Sequence, residues 1–507
     1  MSREIYINIS QQEKRVAILK DKRIDEFYIE RPGYVNLVGN IYKGRVDSVL
    51  QGMGAAFVNI GLEKNGFLYV TDVVADPTNN DKVIGEEAGE DAHAVSRQQE
   101  SRRPLPSITE LLKKGDEVLV QVGKDPIGTK GARLTTHISI PGRFLVLMPF
   151  DTHIGISKRI ESREERDRIR KIISDLRLPK DIGLIVRTAA HGVGHKDFER
   201  EARYLLRSWH HIKSRASRAR PPHLVHAEFD LVLRITRDIF TDDFTKFEID
   251  SKGDFKRISH FLRILAPHLR SKVRFHGDRM PIFEKYEIEH QIEKINDRVV
   301  QLKCGGYLIF DQTESLVAID VNSGKFVGKK NLEDTAFKTN LEAAEEIPRQ
   351  LKLRDIGGII IIDFIDMEIS GHRRTVFKTL EKNLEDDKAK SNILNISSIG
   401  LVEMTRQRVR KSIEGKNYQK CPYCSGRGIV KSVQTVAIEC LRKLESALTN
   451  TAARGAQISL NPEVAQYVRS QEMAMIRPIE KRFRKNVRIL EDPSLHIEGI
   501  KIDLNLS

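Results

Sequence analysis

Two apolar strands each run into an aspartate: LVAID ends at Asp320 and GGIIIID ends at Asp363. Carboxylates are hard oxygen donors, and two of them brought together suit a divalent cation such as magnesium. An ion held there can polarise a phosphate and help generate hydroxide from a water, the chemistry of metal-assisted phosphodiester hydrolysis. Asn322 lies two residues after Asp320, so in an extended strand it faces the same way. It can then donate to a carboxylate or to the phosphate. Asp366 lies three residues beyond Asp363, and strand parity points it elsewhere. His372, Arg373 and Arg374 follow closely and read either as phosphate contacts or as a solvated helix face.

The segment between the aspartates must bring them together. From Asn331 to Lys352, apolar side chains recur at Leu332, Ala336, Phe337, Leu341, Ala344, Ile347 and Leu351, a 3.6-residue period that predicts a helix. Pro348 is expected to kink or end it near its last turn. Strand, helix, strand is a parallel crossover, nearly always right-handed. Both aspartates then emerge at the carboxyl edge of one sheet, where open α/β sheets build their sites.

The chain has 507 residues, enough for three or four domains, with 85 Lys and Arg against 71 Asp and Glu and a formal charge of +14. A basic surface favours polyanions. No apolar run approaches the roughly 20 residues that would span a bilayer, so nucleic acid is the expected partner rather than lipid. Four cysteines, Cys304, Cys421, Cys424 and Cys440, are too few for a disulfide framework and fit a reducing cytoplasm.

The first 30 residues alternate in short strand-like runs, and residues 36 to about 136 form a second β-rich stretch. A polar, initially acidic insertion interrupts it near 75–107. In GAAFVNIGLEKNGFLYV, alternation puts Ala56, Val58 and Ile60 on one face and Phe57 on the other, while Phe67 and Tyr69 oppose Leu68 and Val70. Aromatics on the polar face of a small barrel can stack on bases, or pack beneath a neighbouring segment. Lys43, Arg45, Lys124 and Lys130 add charge for a nucleic-acid backbone. SREERDRIRKIISDL reads as a charged helix, and KSRASRARPP, residues 213–222, as a linker or basic surface loop.

CPYCSGRG places Cys421 and Cys424 in a glycine-rich turn. A dithiol redox site would sit at a helix start, where the dipole lowers the thiol pKa; Ser-Gly-Arg-Gly cannot easily begin a helix. A zinc knuckle fits better. Structural zinc takes four ligands, so the other pair must be Cys304 and Cys440, nearby histidines, or the same motif on a second chain. A symmetric dimer satisfies the count.

Together these pieces resemble the ribonuclease E/G family of bacterial endoribonucleases. The blocks that carry the resemblance are NIYKGRV, GAAFVNIGLEKNGFL, GLIVRTAA, LVAIDVNSG, NLEAAEEIPRQLKLRDIGGIIIIDFIDM, LVEMTRQR and CPYCSGRG. They span nearly the whole chain. The long arginine- and proline-rich tail of one branch is missing, which points to the G branch.

The resemblance implies an α/β multidomain chain. It would comprise an RNase H-like subdomain from 1–35 and 233–295, an S1-motif barrel of the OB class at 36–136, and a 5′-sensor at 137–232. A DNase I-like catalytic subdomain (296–417), a zinc link (418–432) and a small C-terminal domain (433–507) would follow. It further implies that Asp320 and Asp363 bind Mg²⁺ with Asn322 orienting the site, and that Phe57, Phe67 and Lys130 contact RNA. Arg187 and Thr188 would bind a 5′-monophosphate, and Cys421 and Cys424 would share one Zn²⁺ between two protomers. The expected substrate is single-stranded RNA, in rRNA precursors and mRNA, cut in a bacterial cytoplasm by a dimer or a tetramer. A non-catalytic RNA-binding protein and a DNA-directed phosphodiesterase are the rival classes.

Overall fold

The computed structural model describes residues 2–32, 36–73, 106–126, 130–176, 178–179, 181–313, 315–324, 332–385, 387, 389–397, 400–407, 419, 421–449, 451 and 453–505. The insertion expected near 75–107 lies almost wholly outside the described residues, as does Asn331. The chain divides into two compact units, Met1–Ile413 and Glu414–Ser507.

In the first unit, one sheet joins strands far apart in sequence, in the order Val273–Phe275, Phe244–Ile249, Arg3–Ile9, Lys14–Lys20, Arg23–Glu30. Arg3–Ile9 runs parallel to Phe244–Ile249 and antiparallel to Lys14–Lys20. Its alternating apolar residues, Ile5, Ile7, Val16 and Ile18, bury against Phe244, Phe247 and the helix Lys252–Leu265.

A second sheet closes on itself. Ile41–Leu50, Ala55–Asn59, Gly66–Tyr69, Arg133–Thr135 and Glu117–Lys124 follow one another, and Ile41–Leu50 pairs again with Glu117–Lys124 to complete a five-stranded barrel. Closure removes the free edges that an open sheet of short strands would expose. The inward set Val46, Ala56, Val58, Ile60, Leu68, Val120, Val122 and Leu134 fills it. His223–His226 adds to the barrel beside Ile41–Leu50.

A third sheet (Ile154–Ile156, Ile182–Val186, Leu145–Pro149, Ile140–Pro141) carries the helices Arg163–Asp175 and His195–Arg218. The second helix corrects the reading of 213–222 as a linker: Lys213 to Arg218 form its last turns. The segment has no helix breaker before Pro221, and Ala, Arg and Lys are good formers. Ile212 also extends the buried stripe of Phe198, Ala202, Leu205 and Trp209.

The aspartate-bearing sheet has the order Val299–Gln301, Tyr307–Gln312, Leu316–Asn322, Gly358–Asp363, Leu401–Arg406, Ser391–Ile393. Leu316–Asn322 and Gly358–Asp363 are parallel neighbours joined by the helix Leu332–Arg354, as the crossover predicts. That helix and Ser370–Glu385 cover one face, packing Ala343, Ala344, Ile347, Leu351, Val376 and Leu380 on Val317, Ile319, Val321, Ile360 and Ile362.

Two details differ from expectation. The helix does not end at Pro348 but continues to Arg354, because Pro348 and the turn around it are buried. Packing there outweighs the one missing N–H. Leu332 is 87 % exposed, so the core stripe begins at Ala336.

The sheet's far corner is fixed by a buried ion pair. Arg406 donates to Asp387 through Nε (2.7 Å) and Nη2 (3.2 Å). Both side chains are 4 % exposed.

In the second unit, Asn486–Glu491 runs parallel to Gly455–Leu460, and Ile500–Asn505 runs antiparallel to it. The helices Val433–Thr449, Pro462–Ser470 and Arg477–Phe483 bury Val436, Cys440, Leu444, Val464, Val468 and Ile479 on Ile458 and Leu460.

Candidate active site and RNA-contacting surfaces

Asp320 and Asp363 are register partners on adjacent parallel strands. Partners in register point to the same face, and burial identifies which face. Val317, Ile319 and Val321 are buried under the helices, while Asp320 and Asp363 are exposed on the opposite side. The two carboxylates therefore stand side by side on the open face. Asp363 is the last residue of its strand, whereas Asp320 lies within its strand, which runs on to Asn322. Asn322 shares that face, and its Nδ2 donates to Asp320 Oδ2 at 2.7 Å.

Burial, reinforced by the neighbouring charges of Asp320 and Asp366, raises the Asp363 pKa above the usual carboxylate range. The strand stops at Asp363, so alternation does not govern the direction of Asp366. Its carboxylate sits beside Gly400, whose missing Cβ would approach Oδ1 to 3.2 Å.

The loop behind Asp363 is pinned by the crossover helix. Fully buried Asn340 donates to the Ile365 carbonyl (2.7 Å) and accepts from the Ile365 N–H (3.0 Å). Glu333 accepts from the N–H groups of Glu368 (2.9 Å) and Ile369 (3.2 Å) and meets His372 Nδ1 at 2.7 Å. The His372 ring stacks on Phe337 with centroids 4.1 Å apart. His372 is therefore held as a structural tie, and Arg373 donates to the Met367 carbonyl at 2.8 Å.

The donor set fits a hard divalent cation: two adjacent, mutually repelling carboxylates with no soft ligand beside them. Among the described residues no three or more His, Cys, Asp or Glu side chains gather as a metal cage. Magnesium commonly keeps several waters and takes only one or two carboxylates.

On the barrel, Phe57 and Phe67 are register partners, 5.1 Å apart edge to face, and Tyr69 lies 4.3 Å from Phe67. Their outward position and the burial of Ala56, Val58 and Leu68 match the alternation. Lys130 is exposed, two residues before Ala132, whose carbonyl accepts the Phe67 N–H. Lys43 and Arg45 both face Glu117, at 2.9 and 3.7 Å, so they are partly neutralised.

Arg187 and Thr188 follow the strand Ile182–Val186. Arg187 Nη1 is bonded to the Gly142 carbonyl and to Asp238 Oδ1, each at 2.6 Å. Thr188 Oγ1 lies 3.0 Å from Ser157 Oγ.

Sequence reasoning missed the carboxylate beneath this turn. Glu201 is 1 % exposed, and both its oxygens lie 3.0 Å from the Phe144 N–H. Burial pushes its pKa up to about 7 against the opposing pull of backbone N–H groups. A Cβ on Gly142 would come within 2.0 Å of Glu201 Oε1, so only glycine fits there. The available signal was a glutamate inside the apolar stripe Phe198, Ala202, Leu205.

Cys421 precedes the turn that holds Cys424, and the next helix begins only at Val433, so neither sulfur caps a helix. The Gly428 N–H donates to Cys424 Sγ at 3.3 Å. Such amide donors hold the Cys424 thiol pKa below its ordinary value. A thiolate cradled by amides is the donor a structural zinc takes. Cys440 is fully buried in the core of the second unit, and burial pushes its pKa up to about 11. Cys304 belongs to the first unit, where its N–H donates to Glu342 at 2.9 Å.

Comparison with known proteins gives two family matches. Residues 139–409 match the "Ribonuclease E/G family", and residues 420–505 match "RNase E/G, Thioredoxin-like domain". Ribonuclease G of Escherichia coli K12 is 40 % identical over 502 residues, 99 % of each chain. Ribonuclease G of Haemophilus influenzae Rd is 39 % identical over 96 % of each chain. Ribonuclease E of Escherichia coli K12 is 35 % identical over 98 % of this chain but 45 % of its own length.

Proposed function

The chain belongs to the ribonuclease E/G family and is an endoribonuclease, and from that premise we propose that it hydrolyses single-stranded RNA with magnesium at Asp320 and Asp363. The observation that carries this reading is the register pairing of those carboxylates on the open face, with Asn322 bonded to one of them. A divalent cation held there would supply positive charge and Lewis acidity beside the scissile phosphate. Asn322 orients the Asp320 carboxylate and leaves its second oxygen free to face the ion or the substrate. Water adds to phosphorus, the bond to the 3′ oxygen breaks, and that oxygen takes up a proton. The products are a 5′-phosphate and a 3′-hydroxyl, with the ribose 2′-OH unused.

The same reading assigns the rest of the chain. The sheet built from Arg3–Glu30 and Phe244–Phe275 would be the RNase H-like subdomain, and the aspartate sheet the DNase I-like catalytic subdomain. The five-stranded barrel would be the S1-motif RNA platform, with Phe57 and Phe67 stacking bases and Lys130 meeting phosphate. Arg187 and Thr188 would receive a 5′-monophosphate, with the guanidinium shared between the ligand and Asp238. Cys421 and Cys424 would supply half of a zinc site completed by a second protomer. The enzyme would act in the cytoplasm on rRNA precursors and decaying mRNA; among the described residues no helix is long and apolar enough to cross a membrane.

Matched RNAs bearing a 5′-monophosphate, triphosphate or hydroxyl test the reading, each incubated with and without Mg²⁺. Cleavage should need the metal and favour the monophosphate, and Arg187→Ala should shrink the preference while basal cutting persists. Metal-independent cutting, or a preference untouched by the substitution, would remove the respective assignment.

A further inference from the structure

Residues 202–227 contain six Lys or Arg and no Asp or Glu. Most of this run is the outer side of the helix His195–Arg218. Phe198, Ala202, Leu205, Trp209 and Ile212 form its buried stripe. At 100° per residue, Arg203, Arg207, Ser214 and Arg218 fall within an arc of about 60° on the opposite side. Arg207, Lys213, Arg215, Arg218 and Arg220 are exposed. Arg203 pairs with Glu199 at 2.7 Å in an exposed geometry, and among the described residues the other five have no carboxylate partner. From Arg203 to Arg218 the stripe runs about 22 Å, the length of several nucleotides.

Phe150 bounds the other side of the same helix. Phe150 is 70 % exposed and adopts a left-handed backbone conformation, with φ of 73°. A bulky residue rarely takes up that conformation, and it persists only where the surroundings enforce it. The ring is held edge-on against Trp209, with centroids 5.4 Å apart. Trp209 belongs to the buried stripe, so the ring lies on that side of the helix, and the phosphate track on the outer side is made by the cations alone.

A second observation gives the track a direction. The helix ends beside the barrel, where Lys43 Nζ donates to the Ala219 carbonyl at 3.0 Å. The chain then enters His223–His226, which pairs with the barrel strand Ile41–Leu50. That strand pairs in turn with the one carrying Phe57.

We propose that the outer face of the helix His195–Arg218 is a docking surface for the backbone of single-stranded RNA outside the cleavage site. Strand that has left the barrel face continues along this helix, so the surface selects for length rather than for sequence. It touches neither the carboxylate pair nor Arg187, and the proposal stands whether or not the terminal-phosphate reading does.

The test uses the full chain in metal-free buffer, where binding is measured without cutting. Fluorescence anisotropy with a ladder of labelled single-stranded RNAs is read across a salt series. Each phosphate neutralised on a single strand contributes about 0.7 to the slope of log affinity against log salt. The triple variant Arg207→Ala, Arg215→Ala, Arg218→Ala should therefore lower the slope by about 2 on long RNA, and leave the shortest RNAs that still bind unaffected. Phe150→Ala, on the side of the buried stripe, should leave both affinity and slope unchanged. All four positions are exposed, so unchanged thermal melting is expected and separates lost contacts from lost folding. An unchanged slope on long RNA in the triple variant overturns the proposal, and so does an equal loss on the shortest RNAs. Loss of adhesion to anionic vesicles with RNA binding intact would assign the surface to a membrane and overturn it as well.

Discussion

Replacing Asp363 with Asn should make the metal-free protein more stable while abolishing cleavage. Register partners on neighbouring strands stand about 4.8 Å apart. Two like charges at that separation repel by about 1 kcal/mol in water, and by about 3.5 kcal/mol at an effective dielectric constant of 20. Asp320 and Asp363 are both exposed, so the lower figure applies, and the gain is about 1 kcal/mol. No hydrogen bond to Asp363 offsets it among the described residues. The pKa of Asp363 is raised in the folded state, so its ionisation opposes folding. The penalty is absent below the unfolded carboxylate pKa and complete above the folded one.

Metal reverses the order. A ligand at a hundred times its Kd stabilises the form that binds it by about 2.7 kcal/mol. The wild type gains that and the variant does not. Calorimetric melting of the full chain should therefore show the variant above the wild type in EDTA and below it in saturating Mg²⁺. A variant that melts lower in both buffers would make Asp363 a structural residue. An equal rise of both proteins with Mg²⁺ would place the ion elsewhere.

Asp387→Ala should cost about 3 kcal/mol, the lower end for a broken buried pair, because Arg406 keeps only the Asp355 carboxylate at 3.8 Å. Asp311→Ala, at the exposed pair with Arg298, should hardly move the denaturation midpoint. Glu201 has its folded pKa raised to about 7, so its contribution to stability falls as pH rises from about 4.3 to 7 and is flat beyond. Glu201→Gln should flatten that segment of a urea-denaturation pH profile, and an unchanged profile would refute the assignment. Cys421→Ser should lose bound zinc and shift native mass toward the monomer, and a metal-replete dimer would exclude the shared site.

The aspartate pair was legible because its logic is local in kind. Two apolar runs ending in carboxylates, separated by a helical period, dictate a parallel crossover, and pairing in register follows. The outward aromatics of the barrel were legible for the same reason, since strand alternation needs no knowledge of the partner strand. Alternation does not reach Asp366, because the strand ends at Asp363. Lys213–Arg218 was misread because its charge was weighed over its helix propensity and over the single buried residue, Ile212, that continues the stripe. The helix runs on past Pro348 because a local rule met a buried packing site.

What stayed hidden depends on partners distant in sequence. Arg187 meets Asp238, Glu201 meets the turn at Phe144, and Asn340 meets Ile365. Nothing within any one of those segments specifies the other.

The most direct test of the carboxylate site is cleavage of a 5′-monophosphorylated single-stranded RNA in Mg²⁺. The wild type and an Asp320→Asn, Asp363→Asn double variant are compared, with metal-free RNA binding measured alongside and the product ends analysed. The wild type should leave 5′-phosphate and 3′-hydroxyl ends, and the double variant should bind RNA but not cut it. A double variant that still cuts, or wild-type products ending in a 2′,3′-cyclic phosphate, would contradict the site and its chemistry.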